Sequence, residues 1–190
     1  MTLRDHVFLS LTALLVSGCS AGGGSNDPVS DSVEPGEVTL VGTLDDGSGE
    51  VALDVLESGS LWFCGDDCFS VKINFDHADT RLLTEWAFNP GDPPAEGESP
   101  IVYVNVLWTD QSQFGRQGEH PNVDGDWGSA PGGDIVIEST CEDCVDGEAG
   151  ASGYFEGTSE VTLYDGETED ANGGTLTVDA IVFRDLPLVY

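Results

Sequence analysis

Residues 68–76 read Cys68-Phe69-Ser70-Val71-Lys72-Ile73-Asn74-Phe75-Asp76. Phe69, Val71, Ile73 and Phe75 alternate with Ser70, Lys72, Asn74 and Asp76, and an extended chain turns successive side chains to opposite faces. The run therefore predicts a strand with one face in a core and a polar face outward. Moving outward along the chain, Val51, Leu53 and Val55 alternate in the same way. Residues 101–108 (IVYVNVLW) are apolar on both faces apart from Asn105, as a doubly covered strand would be. Further short runs fall at 38–43, 134–140, 153–156, 160–164 and 175–184, each bounded by Gly, Asp or Pro. Such a density of short strands predicts an all-β domain, an antiparallel β-sandwich or a barrel-like relative of one. One short helix is expected over residues 79–88, because Leu82 and Trp86, like Leu83 and Ala87, stand four apart. Asp76 or Asp79 would cap its start, and Asn89-Pro90-Gly91 would end it. Two long acidic loops, residues 89–100 and 110–133, complete the expected domain; loops of that length are usually functional or mobile.

The chain carries 36 acidic residues against 5 basic ones, a net charge of −31. The acids are spread along the sequence rather than gathered in one tail, and Lys72 is the sole lysine. Nucleic acid and anionic lipid headgroups would find no basic footprint on such a surface. Two positive explanations stand side by side. In a salty medium, self-repulsion among carboxylates is screened within about 3 Å at molar salt. Alternatively, the carboxylates serve divalent cations, since Ca²⁺ takes several oxygen ligands in irregular geometry.

At the front, Arg4 precedes an apolar run of ten, residues 7–16 (VFLSLTALLV). A bilayer span needs roughly 20 residues, so this run reads as a signal peptide. Val16-Ser17-Gly18-Cys19 then resembles a bacterial lipobox. The resemblance covers the first twenty residues and implies cleavage after Gly18, diacylation of Cys19, and export of a lipid-anchored protein. In Gram-negative lipoproteins an aspartate after the cysteine tends to retain the protein at the inner membrane, so Ser20 implies the outer membrane there. Residues 1–18 are thus expected to be the signal peptide, residues 19–36 the lipidated cysteine and a flexible Gly/Ser/Asp-rich tether, and residues 37–190 one β-rich domain. No second apolar stretch is long enough to cross a membrane, so lipid is the expected anchor.

With Cys19 assigned to lipid, Cys64, Cys68, Cys141 and Cys144 remain, in CGDDC and CEDC. An even thiol count in an exported chain predicts two disulfides, and four cysteines allow three pairings. Each pair flanks a short acidic turn, so Cys64–Cys68 and Cys141–Cys144 are the first choice, with cross-pairing the rival. Zinc held by all four thiolates is a further alternative, opposed by the oxidising compartment and the long gap between the pairs. Redox chemistry at Cys141-Glu142-Asp143-Cys144 is opposed by the intervening acids, which raise thiol pKa.

Two loops are candidates for calcium. Asn122, Asp124 and Asp126 place oxygens at alternating positions, resembling the start of a D-x-D-x-D-G loop, but Trp127 takes the glycine's place and no twelfth-position glutamate follows. Asp165, Glu167, Glu169 and Asp170 cluster in a second loop. Ordinary solvated turns of an acidic protein have the same composition. Trp127, among Gly, Asp and Ser, is the candidate ligand-stacking residue, whereas Trp62, Trp86 and Trp108 are expected in the core. Neither His77, flanked by Asp76 and Asp79, nor His120 comes with a G-x-S-x-G elbow. The leading expectation is a non-enzymatic binding or envelope-structural module with a carbohydrate or protein partner. Calcium-assisted carbohydrate binding and a carboxylate- or histidine-dependent hydrolase are the alternatives.

Overall fold

The computed structural model describes residues 32–65, 67–77, 80–108, 110, 113–118, 129, 131–164 and 171–190. Eleven strands make up this part: β1 (Glu37–Asp45), β2 (Glu50–Ser58), β3 (Leu61–Gly65), β4 (Cys68–His77), β5 (Thr80–Phe88), β6 (Gly97–Trp108), β7 (Gln113–Gly118), β8 (Asp134–Val145), β9 (Glu148–Glu156), β10 (Ser159–Tyr164) and β11 (Ala171–Val189). Every pairing is antiparallel except a short parallel one between β11 and β3. The expected all-β, sandwich- or barrel-like architecture is what forms.

Hydrogen bonding runs β3–β4–β5–β6–β7–β10–β11 and returns from β11 to β3. This circuit is closed, which leaves fewer unpaired edges than an open sheet would expose. The β1–β2 hairpin adds to β11, and β8–β9 bridges β11 to the start of β6. Inward-facing residues from both layers meet in one core, with Leu40, Phe69, Ile73, Trp86, Val104, Ile135, Leu176 and Phe183 almost wholly buried. The alternation of β4 reads as expected: Phe69, Val71, Ile73 and Phe75 are buried.

Residues 80–88 form strand β5, not a helix. Leu82, Trp86 and Phe88 point inward with Thr84, whose hydroxyl donates to the Ile73 carbonyl at 3.2 Å. A spacing of four is a multiple of both the helical repeat's near-neighbour step and the strand's repeat of two, so Leu82 and Trp86 share a face in either structure. Backbone pairing to β4 on one side and β6 on the other decides it. Asn89-Pro90-Gly91 does end the element. Both long loops are also shorter than expected: Gly97–Pro100 already pairs with β8, and β7 lies inside the second.

Pairing of β3 with β4 extends only to Val71, leaving the β4 edge beyond it without a strand neighbour on that side. Glu57 from β2 fills the place, accepting the backbone amide and the side-chain amide of Asn74 and pairing with Arg81 at 3.2 Å. The described chain is docked from its start. Val33 is buried, and the Gly36 amide donates to the Arg184 carbonyl at 2.7 Å.

Gly42 sits at an irregularity of the β1–β11 ladder, where an added Cβ would run into the Thr177 carbonyl oxygen. Gly42→Ala is expected to cost about 2 kcal/mol through a shifted ladder, lowering the thermal midpoint by roughly 4–8 °C in a melt followed by circular dichroism.

Candidate functional site

The strand register lines up polar side chains across the outer face of β4–β7. Lys72 stands opposite Glu85, Glu85 opposite Asn105, and Asn105 opposite Arg116. The neighbouring row runs Trp62, Ser70, Ala87, Tyr103. Glu85 is the centre. Its carboxylate accepts the Ser70 hydroxyl at 3.0 Å and the Asn105 amide at 3.2 Å, and lies 3.6 Å from the Lys72 ammonium. Burial pushes the Tyr103 phenol well above its ordinary value, helped by the charge of Glu85 and a hydrogen bond to it. Glu85 is thus a nearly buried charge with its lone pairs occupied, the condition under which such a charge is tolerated. At the margin, the Lys72 ammonium sits 4.8 Å from the Trp62 ring centre, and Trp62 is 41% exposed. Trp86 takes the core position expected of it and Trp108 packs partly buried, but Trp62 does not join them, because alternation along β3 turns Leu61 into the core and the next residue, Trp62, toward solvent.

His77 ends β4, and among the described residues its ion-pair partner is Asp46, not the flanking Asp76; Asp79 lies outside the described residues. Its Nε2 lies 3.0 Å from Asp46 Oδ2 in the β1–β2 turn, and its ring leans on Trp108 and Phe114 at 6.1 and 6.2 Å. The Ser48 hydroxyl donates to Asp46 Oδ1 at 2.6 Å, with the Ser48 amide beside it at 2.9 Å. The order is serine to carboxylate to imidazole. A nucleophile relay needs the hydroxyl on the imidazole, so this arrangement ties a turn to a strand end.

Cys64 is bonded to Cys68 and Cys141 to Cys144, each pair stapling its own turn as first expected. The four-thiolate zinc arrangement and cross-pairing are both overturned. The two staples differ in setting. Cys68 is buried with Ala87 and Tyr103. Cys141 and Cys144 are half-buried on the β8–β9 hairpin, whose Asp146-Gly147 turn has positive φ at both residues, as a tight two-residue hairpin requires. Asp185 of β11 faces them, its Oδ1 4.0 Å from Cys141 Sγ and 2.9 Å from the Ser152 hydroxyl. Beside them runs a groove of about 400 Å³ lined by Pro93, Pro94, Thr140, Cys141, Glu142 and Leu188 among others.

Cys19, His120, Asn122, Asp124, Asp126, Trp127, Asp165, Glu167, Glu169 and Asp170 lie outside the described residues. Reading the sequence alone misses Glu85, Asn105, Asp46 and Asp185 as site members. Alternation placed Ser70 and Lys72 on one face, but only the register identifies what lies across from them. No protein-family model, curated protein or solved structure matches the chain.

Glu85→Leu leaves the Ser70 hydroxyl and Asn105 amide buried without their acceptor and is expected to cost about 1–3 kcal/mol, read as a lower denaturant midpoint; Glu85→Gln, which keeps an acceptor, should cost less. A second outcome concerns acid. The Ser48 hydroxyl and then the Ser48 amide, with lesser help from the charge and hydrogen bond of His77, hold the Asp46 carboxyl below its usual 3.8 against an upward push from burial. A carboxyl lowered by folding stabilises the fold above its unfolded value, and that contribution is lost as pH falls through the folded value. Asp46→Asn should therefore lower the thermal midpoint at pH 7, and the difference from the parent should shrink once the pH is taken below about 4.

Proposed function

We propose that the chain is an exported, lipid-anchored acidic β-domain acting as a non-enzymatic binding or envelope-structural module. The observation that carries this reading is the Val16-Ser17-Gly18-Cys19 lipobox pattern behind a ten-residue apolar run. The two locally stapled cysteine pairs agree with an oxidising compartment. Polar groups on the described surface also fit a module better than a catalyst. Glu85 is spent on Ser70, Asn105 and Lys72, and His77 on Asp46 and two aromatic rings. A Gly/Ser-rich tether of about a dozen residues would have a reach of roughly 20 Å, keeping the domain near the membrane surface while leaving it free to turn. In a Gram-negative host Ser20 favours the outer membrane.

Trp62 favours a second reading, carbohydrate binding. It is an exposed indole on the outer sheet face with Lys72 and the Glu85 row beside it. In that version Trp62→Ala loses retention on a polysaccharide column while its melting curve stays intact. Calcium assistance at Asn122, Asp124 and Asp126, with Trp127, belongs to this same alternative.

The leading reading is tested in a bacterial expression host by detergent phase partitioning and fatty-acid labelling. The full chain should label and enter the detergent phase. Cys19→Ser should do neither, with the unprocessed signal retained. Equal labelling of the two would overturn the anchor.

A further inference from the structure

We propose that Cys141, Cys144 and Asp185 form a redox-gated site for a borderline-soft divalent metal ion of the zinc type, closed by the disulfide and opened by a dithiol reductant. One ligand atom from each residue lies within 4.8 Å of the others, close enough for one ion to gather all three with small movements. The inference does not depend on the lipid anchor.

Asp185 is aimed at the sulfurs by backbone geometry that a plain strand would not adopt. The β11–β9 ladder shifts register between Phe183 and Leu186, and Asp185 within that bulge has φ +47°. A left-handed backbone at a residue other than glycine costs energy and persists where its surroundings hold it. Ser152 does the holding, donating its hydroxyl to Asp185 Oδ1 and accepting the Asp185 amide, both at 2.9 Å. The bulge alone has a simpler use, letting β11 pass from β9 to β3. That use does not call for a carboxylate, and glycine would take the conformation at less cost. Bulges often re-aim one side chain at a site.

The hairpin suits a bond that opens. A staple with sequence separation 3 closes a very small loop, so breaking it releases little chain entropy. The Cys141–Gly150 and Val145–Glu148 pairings of the β8–β9 ladder hold the two sulfurs near each other without it. Cys64–Cys68 is different, since Cys68 is only 3% exposed. Charge also favours a cation over bare thiolates. Glu142 and Asp143 stand between the cysteines and Asp185 across from them, so two lone thiolates there are disfavoured and a divalent ion relieves the repulsion.

The chemistry balances in two steps. An external dithiol gives two electrons and two protons to the Sγ–Sγ bond and becomes a disulfide itself, leaving two thiols. The ion then displaces both thiol protons and takes two thiolates and the Asp185 carboxylate. Its fourth position would open on the groove that Cys141 lines.

The full chain, treated with dithiothreitol and then freed of it without oxygen, is titrated with cobalt(II) as a spectroscopic stand-in and back-titrated with zinc. Expected is one equivalent of cobalt with thiolate-to-metal absorption in the near ultraviolet, displaced by zinc, and none in the oxidised chain. Asp185→Asn should bind at least about ten-fold more weakly, the usual order of loss when a ligand or its support is removed. The inference is overturned if the folded reduced chain shows no such absorption. Equal affinity in Asp185→Asn overturns it too, as does a signal that persists in Cys141→Ser/Cys144→Ser, which would place the metal on Cys64 and Cys68. Loss of the β-sheet circular dichroism on reduction also overturns it, because the site needs the hairpin to survive opening.

Discussion

Strand β11 is the constraint on which the other strands depend. It is 19 residues long and pairs in turn with β10, β1, β9 and β3. A strand of that length cannot stay flat, because sheets twist and neighbouring strands rotate steadily with respect to one another. Its irregularities take up that rotation. One faces Gly42 of β1, and another carries Asp185 past β9 toward β3. Without the last two residues of pairing, Leu188 and Val189 against Leu61 and Trp62, the circuit through β3 would stay open. The closing contact is thus a short one, two residue pairs between much longer ladders.

The fold class was legible because burial follows a period of two that survives in the letters. Phe69 to Phe75 show it directly, whereas of Val51, Leu53 and Val55 only Leu53 is buried and Val51 is exposed. The Leu82–Trp86 spacing was not decisive, since four satisfies strand and helix alike, and the deciding backbone bonds come from β4 and β6. The disulfide pairing was legible because short acidic turns bring neighbouring cysteines together. Site membership was not. Glu85 looks like any other acid of an acidic chain until the register sets Ser70, Lys72 and Asn105 around it. Asp46 and Asp185 come from turns or bulges distant in sequence from the residues they meet. Local patterns carry local structure, and long-range register carries the chemistry.

In a chain with 5 basic residues, the placement of the bases is informative. Lys72 faces Glu85, and Arg81 faces Glu57. Surface pairs contribute little on their own. Here they matter because Glu57 also takes the Asn74 amide, and Glu85 also takes Ser70 and Asn105, so each cation supports a carboxylate already committed to backbone or buried groups. Other acids among the described residues, such as Glu50, Glu98, Glu142 and Glu160, stand exposed to solvent. High salt would screen them against one another while leaving the two partly buried carboxylates comparatively untouched.

The docking of residues 33–36 has a mechanical consequence. Gly36 is held by the Arg184 carbonyl, and its own carbonyl holds the Gly59 amide, so the chain enters the domain in line with β1. From Glu37 to Asp45, β1 is bonded to β11 on one side and to β2 on the other. Tension applied ahead of Val33 and along β1 would therefore load both ladders in shear. The rungs share the force instead of opening one after another as they would if the strand were peeled sideways. A domain threaded in this way resists extraction by a steady pull far better than its modest individual hydrogen bonds would suggest.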